Sequence, residues 1–318
     1  MKKHIKRIYH DLNEVIVKNF RYLPYIQPIL LHKIYNSRNE ITTLNGTIAE
    51  GVDKQQFETF VKYFKKRNVK FINEEDILKG NLIANKQYVY LTFDDGYFNN
   101  FNCLPILEKY EVKATFYIST DHVENQKAYW WDSLARELTK RDQYSHIKDL
   151  VNEMYQLKLH EQDEYMINNF GPNALKSNND IDRPMTKKEL EVFASNKYVT
   201  IGNHTHSHLN LELYSDLEIR NSINSAESFL NQITNQKIKS ISYPHGFVNK
   251  DISNIAKECG YQIGITTVPK KNRHEDLENP DKRLLLNRIQ LSGFFNIETQ
   301  CRNIHTDSFS ILKALKFN

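Results

Sequence analysis

The run Tyr88-Val89-Tyr90-Leu91-Thr92-Phe93 is the clearest strand signal in the chain, and it stops abruptly on two carboxylates and a glycine, Asp94-Asp95-Gly96. The two carboxylates close an otherwise apolar strand. Two adjacent carboxylates at its end repel one another, and burial makes ionising both costly. A divalent cation relieves the repulsion. Neighbouring strand residues point to opposite faces, so one Asp can bind metal while the other faces a bound water. The same dipeptide, taken alone, also suits a surface Asp-Asp-Gly turn.

The segments around this strand alternate between strand and helix periodicity. Residues 3–20 read as a helix with Ile5, Ile8, Leu12, Val15 and Ile16 on one stripe, and Ile29–Ile34 as a short apolar strand. Residues 53–67 form an amphipathic helix turning Phe57, Phe60, Val61 and Phe64 inward, followed by a strand at Val69–Ile72. A helix around 99–110, a strand at Ala114–Ile118 and a strand at Val199–Gly202 continue the alternation. Residues 216–234 are helical with Ser215 as N-cap, and 250–258 are helical. Strands follow at Ile238–Tyr243, Tyr261–Thr267 and Leu284–Leu291. Residues 132–170 are charged and helix-like with no strand run, an insertion rather than a second domain. Such βα units predict an α/β fold, either a closed or nearly closed barrel or a doubly wound sheet, with chemistry at the strand ends.

Composition excludes several classes. With 318 residues and 40% hydrophobic content the chain can bury a core, and 43 Lys+Arg against 39 Asp+Glu leaves a net charge of +4, too small and scattered to argue for nucleic acid. Cys103, Cys259 and Cys301 are widely spaced and odd in number, which favours a reducing compartment. The basic N-terminus is interrupted by Asp11, Asn13, Glu14, Lys18, Asn19 and Arg21, and no window approaches ~18 consecutive apolar residues. The expectation is a cytoplasmic protein without a transmembrane segment. Lys2, Lys3, Lys6, Arg7, Lys313 and Lys316 leave weak peripheral contact with an anionic membrane face open. The sequence is silent on oligomeric state.

Three of the 12 histidines fall within five residues, in Ile201-Gly202-Asn203-His204-Thr205-His206-Ser207-His208. His204 and His208 are four apart, so a helical turn or tight loop can aim both imidazoles at one ion, whereas His206 points elsewhere, behind the ligands or toward substrate. An Asp with two His supplies three ligands and an open coordination side, the pattern of a catalytic metal site. A third strand end, Ile241-Ser242-Tyr243-Pro244-His245-Gly246, turns sharply at Gly246 and can aim a backbone N–H at a developing oxyanion.

In that order, Thr92-Phe93-Asp94-Asp95-Gly96, the His204-Thr205-x-x-His208 motif and the Tyr243-Pro244-x-Gly246 strand end resemble the polysaccharide deacetylase family, the NodB-homology carbohydrate esterases. The resemblance extends over about residues 26–295 and places the family domain at 26–318, after a helical segment at 1–25 and with its insertion at about 132–185. It implies a distorted (β/α)7 TIM-like barrel and metal-dependent removal of N-acetyl groups from amino sugars. It implies Asp95, His204 and His208 as metal ligands, Asp94 as general base and the His245 backbone N–H in the oxyanion hole. The cation expected is divalent, zinc by default, with cobalt, nickel or iron open.

Two departures from the family pattern bear on the site. The third motif often begins with an Arg that tethers the base, and Ser242 stands there; Arg288, on the late strand, is the expected substitute. The late Leu-His pair that supplies the general acid is absent, since Ser292 follows Leu291. Permuted members carry that His on the strand before the Asp-Asp strand, which points to His32. Tyr129-Trp130-Trp131-Asp132 lies between the first two motifs; its aromatics either stack on sugar rings, with Asp132 bonding a hydroxyl, or seat the insertion on the barrel. Tyr97, Trp131, Asp132, Tyr243 and His206 are the expected substrate-facing residues. The expected substrate is an N-acetylated surface polysaccharide, oligosaccharide or glycolipid precursor. The competing readings are a non-catalytic carbohydrate-binding barrel, deformylation or O-deacetylation by the same site, and an amidohydrolase built on His204-x-His206. The last is disfavoured because that pair comes late in the chain.

Overall fold

A computed structural model describes residues 25–42, 51–143, 145 and 147–306. The helix expected over 3–20 and the basic termini lie outside the described residues. The strands are β1 (Ile26–Leu31), β2 (Lys33–Tyr35), β3 (Gly51–Asp53), β4 (Lys70–Ile72), β5 (Tyr88–Phe93), β6 (Ala114–Ile118), β7 (Val199–Asn203), β8 (Ser240–Ser242), β9 (Ile263–Ile265) and β10 (Ile289–Gln290). All but β2 and β3 form one parallel sheet, in the order β10-β1-β5-β6-β7-β8-β9 with β4 also on β5.

The central strand β5 is paired with β1 along its whole length, from Ile26↔Tyr88 to Leu31↔Phe93. On its other edge β4 takes Tyr88 to Tyr90, and β6 takes Leu91 to Phe93. The curled sheet returns to its start through residues 286–291. Leu286 donates its N–H to the Gly264 carbonyl (2.9 Å) and accepts from Thr266 (2.8 Å), while the Leu291 N–H reaches the Leu30 carbonyl (3.1 Å). The staves are therefore β1, β5, β6, β7, β8, β9 and the 286–290 segment, a distorted (β/α)7 barrel.

Ile238–Tyr243 and Tyr261–Thr267 form shorter strands than predicted, Ser240–Ser242 and Ile263–Ile265, and two further predicted strands are broken up. Ile29–Ile34 is broken at His32: β1 joins the barrel, while β2 pairs with β3 in a separate two-stranded sheet. Leu284–Leu291 is reduced to Ile289–Gln290 and a bridge at Leu286, because the Asn287 N–H goes to the Asn272 side chain (2.8 Å) and the Arg288 N–H to the Val268 carbonyl (3.1 Å). The helix around 99–110 begins as a 3-10 turn, Phe98–Cys103, and becomes α-helical at Leu104–Tyr110, with Pro105 in the first turn where a missing N–H costs nothing.

Strand parity sorts the core. Val89, Leu91 and Phe93 face outward with Phe116, Ile201 and Ile241, against the surrounding helices. The Lys54–Lys65 helix is closed by a capping box, in which Asp53 accepts from the Gln56 N–H (2.7 Å) and Gln56 accepts from the Asp53 N–H (3.1 Å), and it lays Phe57, Phe60, Val61 and Phe64 on this layer. Tyr88 and Tyr90 face the barrel interior with Tyr117, Ile263, Ile265 and Leu286. Between β6 and β7 the helices Trp130–Lys140, Ile147–Met154 and Leu159–Phe170 build their own cluster with Tyr97 and Tyr129. No helix among the described residues is long and apolar enough to cross a membrane.

A carboxyl is sealed inside this core. Glu74 opens the helix Glu74–Lys79, is buried, and accepts a hydrogen bond from the Ser240 hydroxyl beside Tyr90 and Thr115. Burial pushes its pKa from 4.5 up to about 7, with the Ser240 hydroxyl opposing. A raised acid binds its proton more tightly in the folded state, so folding loses stability as pH climbs from about 4.5 to about 7. The loss expected is on the order of 3 kcal/mol. Glu74→Gln removes it: urea unfolding near pH 5 and near pH 8 should show a clear drop for the parent and a much smaller one for the variant.

Candidate metal centre and active site

The inward parity of the barrel carries through to the strand ends. Residue 30 in β1 and 32 just after it, 94 after β5, 204 after β7, 267 after β9 and 290 on the last stave continue the interior-facing series, and Leu30, His32, Asp94, His204, Thr267 and Gln290 line one cavity of about 320 Å³. Asp95, Trp131, Tyr155, His208 and His245 complete it.

Parity alone would send Asp95 outward. It has φ of +77°, a left-handed turn completed by Gly96 at +78°, and this returns the second carboxylate to the cavity. The expectation that the two aspartates point opposite ways therefore fails: the backbone has left the extended conformation before Asp95. His208 (φ +52°) and His245 (φ +58°) reach the cavity from left-handed residues as well. At the His245 turn, Gly246 has φ of +80°, and a Cβ there would lie 2.0 Å from Thr267 Oγ1.

Asp95 Oδ1 is buried, lies 3.4 Å from His204 Nε2 and 3.3 Å from His208 Nε2, and has no hydrogen-bond partner of ordinary geometry. His204 Nδ1 is 2.7 Å from the Ser242 carbonyl, which can only accept, so Nδ1 carries a proton. Against burial, the Asp94 and Asp95 carboxylates raise the pKa of the ring, and in its neutral form Nε2 presents a lone pair to Asp95. Acceptors facing one another in a buried site call for a proton or a cation between them. Asp95, His204 and His208 offer ligand atoms all within 4.8 Å of one another, so the donor set fits a divalent cation.

Asp94 stands beside this triangle, with Oδ2 3.8 Å from His204 Nε2. Arg288 grips it with two hydrogen bonds, Nη1 to Oδ1 at 2.8 Å and Nη2 to Oδ2 at 2.6 Å, and the Ser242 hydroxyl donates to Oδ2 at 3.1 Å. Arg288 is fixed in turn by the Thr266 carbonyl (2.8 Å). Burial works to raise the Asp94 carboxyl, but the charge and hydrogen bonds of the Arg288 guanidinium outweigh it and hold the group below the usual range, ionised at neutral pH. Burial pushes the His208 imidazole down, against the pull of Asp95, and pushes His245 well down. Both rings are thus favoured in their neutral form.

The remaining predicted residues are divided. His32 sits at the β1–β2 break with its carbonyl held by Asn100 Nδ2 (2.6 Å) and its ring in the cavity wall. The His245 ring packs on His208 (4.4 Å between centroids) and Tyr155 (4.7 Å). Trp131 is in the wall. Tyr97, Asp132, Tyr243 and His206 are not brought to the cavity. Tyr97 is fully buried and gives its hydroxyl to Asp132 (2.6 Å); Asp132 is paired with Lys33 (2.6 Å). Tyr243, outward by parity, donates to the Leu284 carbonyl (3.0 Å). His206 lies on the outer side of the barrel with Nδ1 2.8 Å from the Thr120 hydroxyl. Sequence reasoning missed Tyr155, Thr267 and Gln290. Gln290 was within reach, because it is two residues beyond Arg288 and so shares its face. Tyr155 carried no motif.

The sequence profile described as polysaccharide deacetylase matches residues 82–264. A poly-beta-1,6-N-acetyl-D-glucosamine N-deacetylase of Staphylococcus aureus (strain MRSA252) is 25% identical over 220 residues, 68% of this chain; the match spans only 60% of that relative's own length. The barrel is similar to that of the Streptococcus pyogenes deacetylase PplD in complex with acetate, with TM-score 0.59 and 21% identity, covering 87% of this chain and 96% of that one. It is also similar to IcaB from Ammonifex degensii, with TM-score 0.56 and 13% identity, covering 84% and 92%. With the profile spanning more than half of its residues, the chain belongs to the polysaccharide deacetylase family.

Proposed function

We propose that the chain is a metal-dependent hydrolase removing N-acetyl groups from amino sugars of a surface polysaccharide, oligosaccharide or glycolipid precursor. The observation that carries this is the buried Asp95–His204–His208 triangle with the Arg288-tethered Asp94 beside it, at the floor of one cavity. The Staphylococcus aureus relatives make polymers of N-acetylglucosamine the first substrate to try.

In this reading Asp95, His204 and His208 hold the cation, zinc by default. When bound it would lower the pKa of a water from about 15.7 toward about 7 and polarise the acetyl carbonyl. Asp94, kept ionised by Arg288, accepts the proton of the attacking water, and Arg288 holds the carboxylate so that one oxygen stays aimed at the cavity. The His245 backbone N–H donates to the oxyanion that forms on the amide carbon. His32, on the same wall, donates the proton that lets the sugar amine leave, and the products are acetate and a free amino sugar.

Three results are expected. Dialysis against a chelator should abolish acetate release from an N-acetylglucosamine oligomer, and zinc should restore it; activity that survives complete metal removal would end the metal reading. Asp94→Asn should retain bound metal and lose on the order of 10²–10⁴ in kcat. His32→Ala should also keep its metal, lose about 10² or more in kcat, and lose the alkaline limb of a bell-shaped pH–rate profile. A His32 variant with full turnover would remove it as the acid.

A further inference from the structure

The cavity wall facing the metal triangle comes from the insertion. Trp131 lies over His208 and His245, with ring centroids at 4.9 and 5.5 Å. Behind it runs a chain of hydrogen bonds with a fixed direction. Trp131 Nε1 donates to the Tyr97 hydroxyl oxygen (3.0 Å), Tyr97 donates to Asp132 Oδ2 (2.6 Å), and Lys33 Nζ donates to Asp132 Oδ1 (2.6 Å). Lys33 Nζ also sits 4.3 Å from the centroid of the Tyr97 ring. Tyr97 has one proton. With that proton committed to a carboxylate, its oxygen is left as an acceptor, and the indole N–H is the donor it receives. Burial, reinforced by the Asp132 charge, holds the Tyr97 hydroxyl far above its ordinary pKa, so it keeps that proton at any working pH.

The expense of this arrangement is informative. Lys33 is 1%, Asp132 8% and Tyr97 0% exposed, amid Tyr129, Trp130 and Leu134. A buried ion pair seldom gains stability over well-packed apolar residues of the same volume, whereas it does impose direction. These three groups come from β2, the loop after β5 and the first turn of the Trp130–Lys140 helix, so the pair clamps the insertion to the β2–β3 sheet at Asp132, the residue after Trp131. The indole is also stacked on Tyr129 (4.6 Å), whose hydroxyl donates to the Asp95 carbonyl (2.6 Å), tying the same wall to a metal ligand.

We propose that Lys33, Asp132 and Tyr97 are positioning residues that lock Trp131 in the cavity wall as the surface on which the sugar ring of the substrate packs. This builds on the deacetylase reading of the cavity. Asp132 and Tyr97 then act on the substrate only through Trp131, at one remove from the sugar.

The chain has two tryptophans, so Trp130→Phe leaves Trp131 as the sole indole emitter. In that parent, Tyr97→Phe keeps the ring and removes the acceptor. The expected results are a shifted Trp131 emission maximum, greater quenching by acrylamide, and a KM for an N-acetylated oligosaccharide raised about tenfold with kcat within about twofold. Zinc content should not change. Lys33→Met combined with Asp132→Leu conserves volume and leaves no lone buried charge, and it should move the same readouts in the same direction. Folded variants with parental emission, quenching and KM would overturn the proposal. So would a fall in kcat and zinc content together without an emission change, the signature of a purely structural cluster. A parent that releases no acetate would remove the deacetylase reading, while emission and quenching would still decide whether Trp131 is held from behind.

Discussion

The site rests on a charge imbalance in a sealed place. Asp94 and Arg288 form a two-point ion pair and cancel. Asp95 is next to Asp94, equally buried, and has no guanidinium or ammonium of its own; it has two imidazoles, of which His204 is oriented by the Ser242 carbonyl so that Nε2 faces the carboxylate. An isolated carboxylate taken out of water is very costly. The protein therefore separates two functions that identical side chains would otherwise share. One aspartate is neutralised by an arginine, and the other faces two imidazoles. One carboxylate oxygen and two imidazole nitrogens are a donor set that suits zinc or another divalent first-row metal.

Backbone strain is how the second aspartate gets there. Asp95, Thr205, His208 and His245 all have positive φ, and each such residue costs on the order of 1–3 kcal/mol unless its surroundings impose it. The surroundings are tight. The Thr205 N–H is held by Asn203 Oδ1 (2.7 Å), and Asn203 is held by the Ile223 carbonyl and the Tyr261 hydroxyl (3.0 and 2.6 Å). An outer-layer network thus fixes the conformation of the loop that delivers both histidines. Strand parity supplies His32, Asp94, His204 and Gln290 without strain, and the loops supply the rest with it.

This division explains what the sequence made legible. Continuous, largely apolar runs announced β5 and β6, and a chain of such strands and helices announced a barrel, because burial on both faces leaves a compositional trace. The Asp94-Asp95 and His204–His208 motifs were legible because charge and imidazole at strand ends have few structural uses. The break at His32 was not, because Ile29 to Ile34 reads as one strand-length run with no glycine or proline in it, and only pairing to different partners separates β1 from β2. Nor was the use made of Asp132: beside two tryptophans it looks like a sugar ligand, and nothing in the letters shows Lys33, ninety-nine positions earlier, arriving beside it.

Arg288 shows how a motif can be lost and its physical content kept. Ser242 and Arg288 both face the interior, from β8 and from the last stave, with only β9 between them. A serine at 242 leaves room for a guanidinium to enter from that side. Its hydroxyl then serves both partners, accepting from Arg288 Nη2 at 3.0 Å and donating to Asp94 Oδ2 at 3.1 Å. A buried carboxylate such as Asp94 is held by a positive charge in a fixed plane beside it, and a planar fork anchored on the Thr266 carbonyl can supply that from any stave whose interior position points at it. A tether in this barrel is therefore defined by the point in space where its charge sits, and the order of motifs along the chain is only one way of reaching that point.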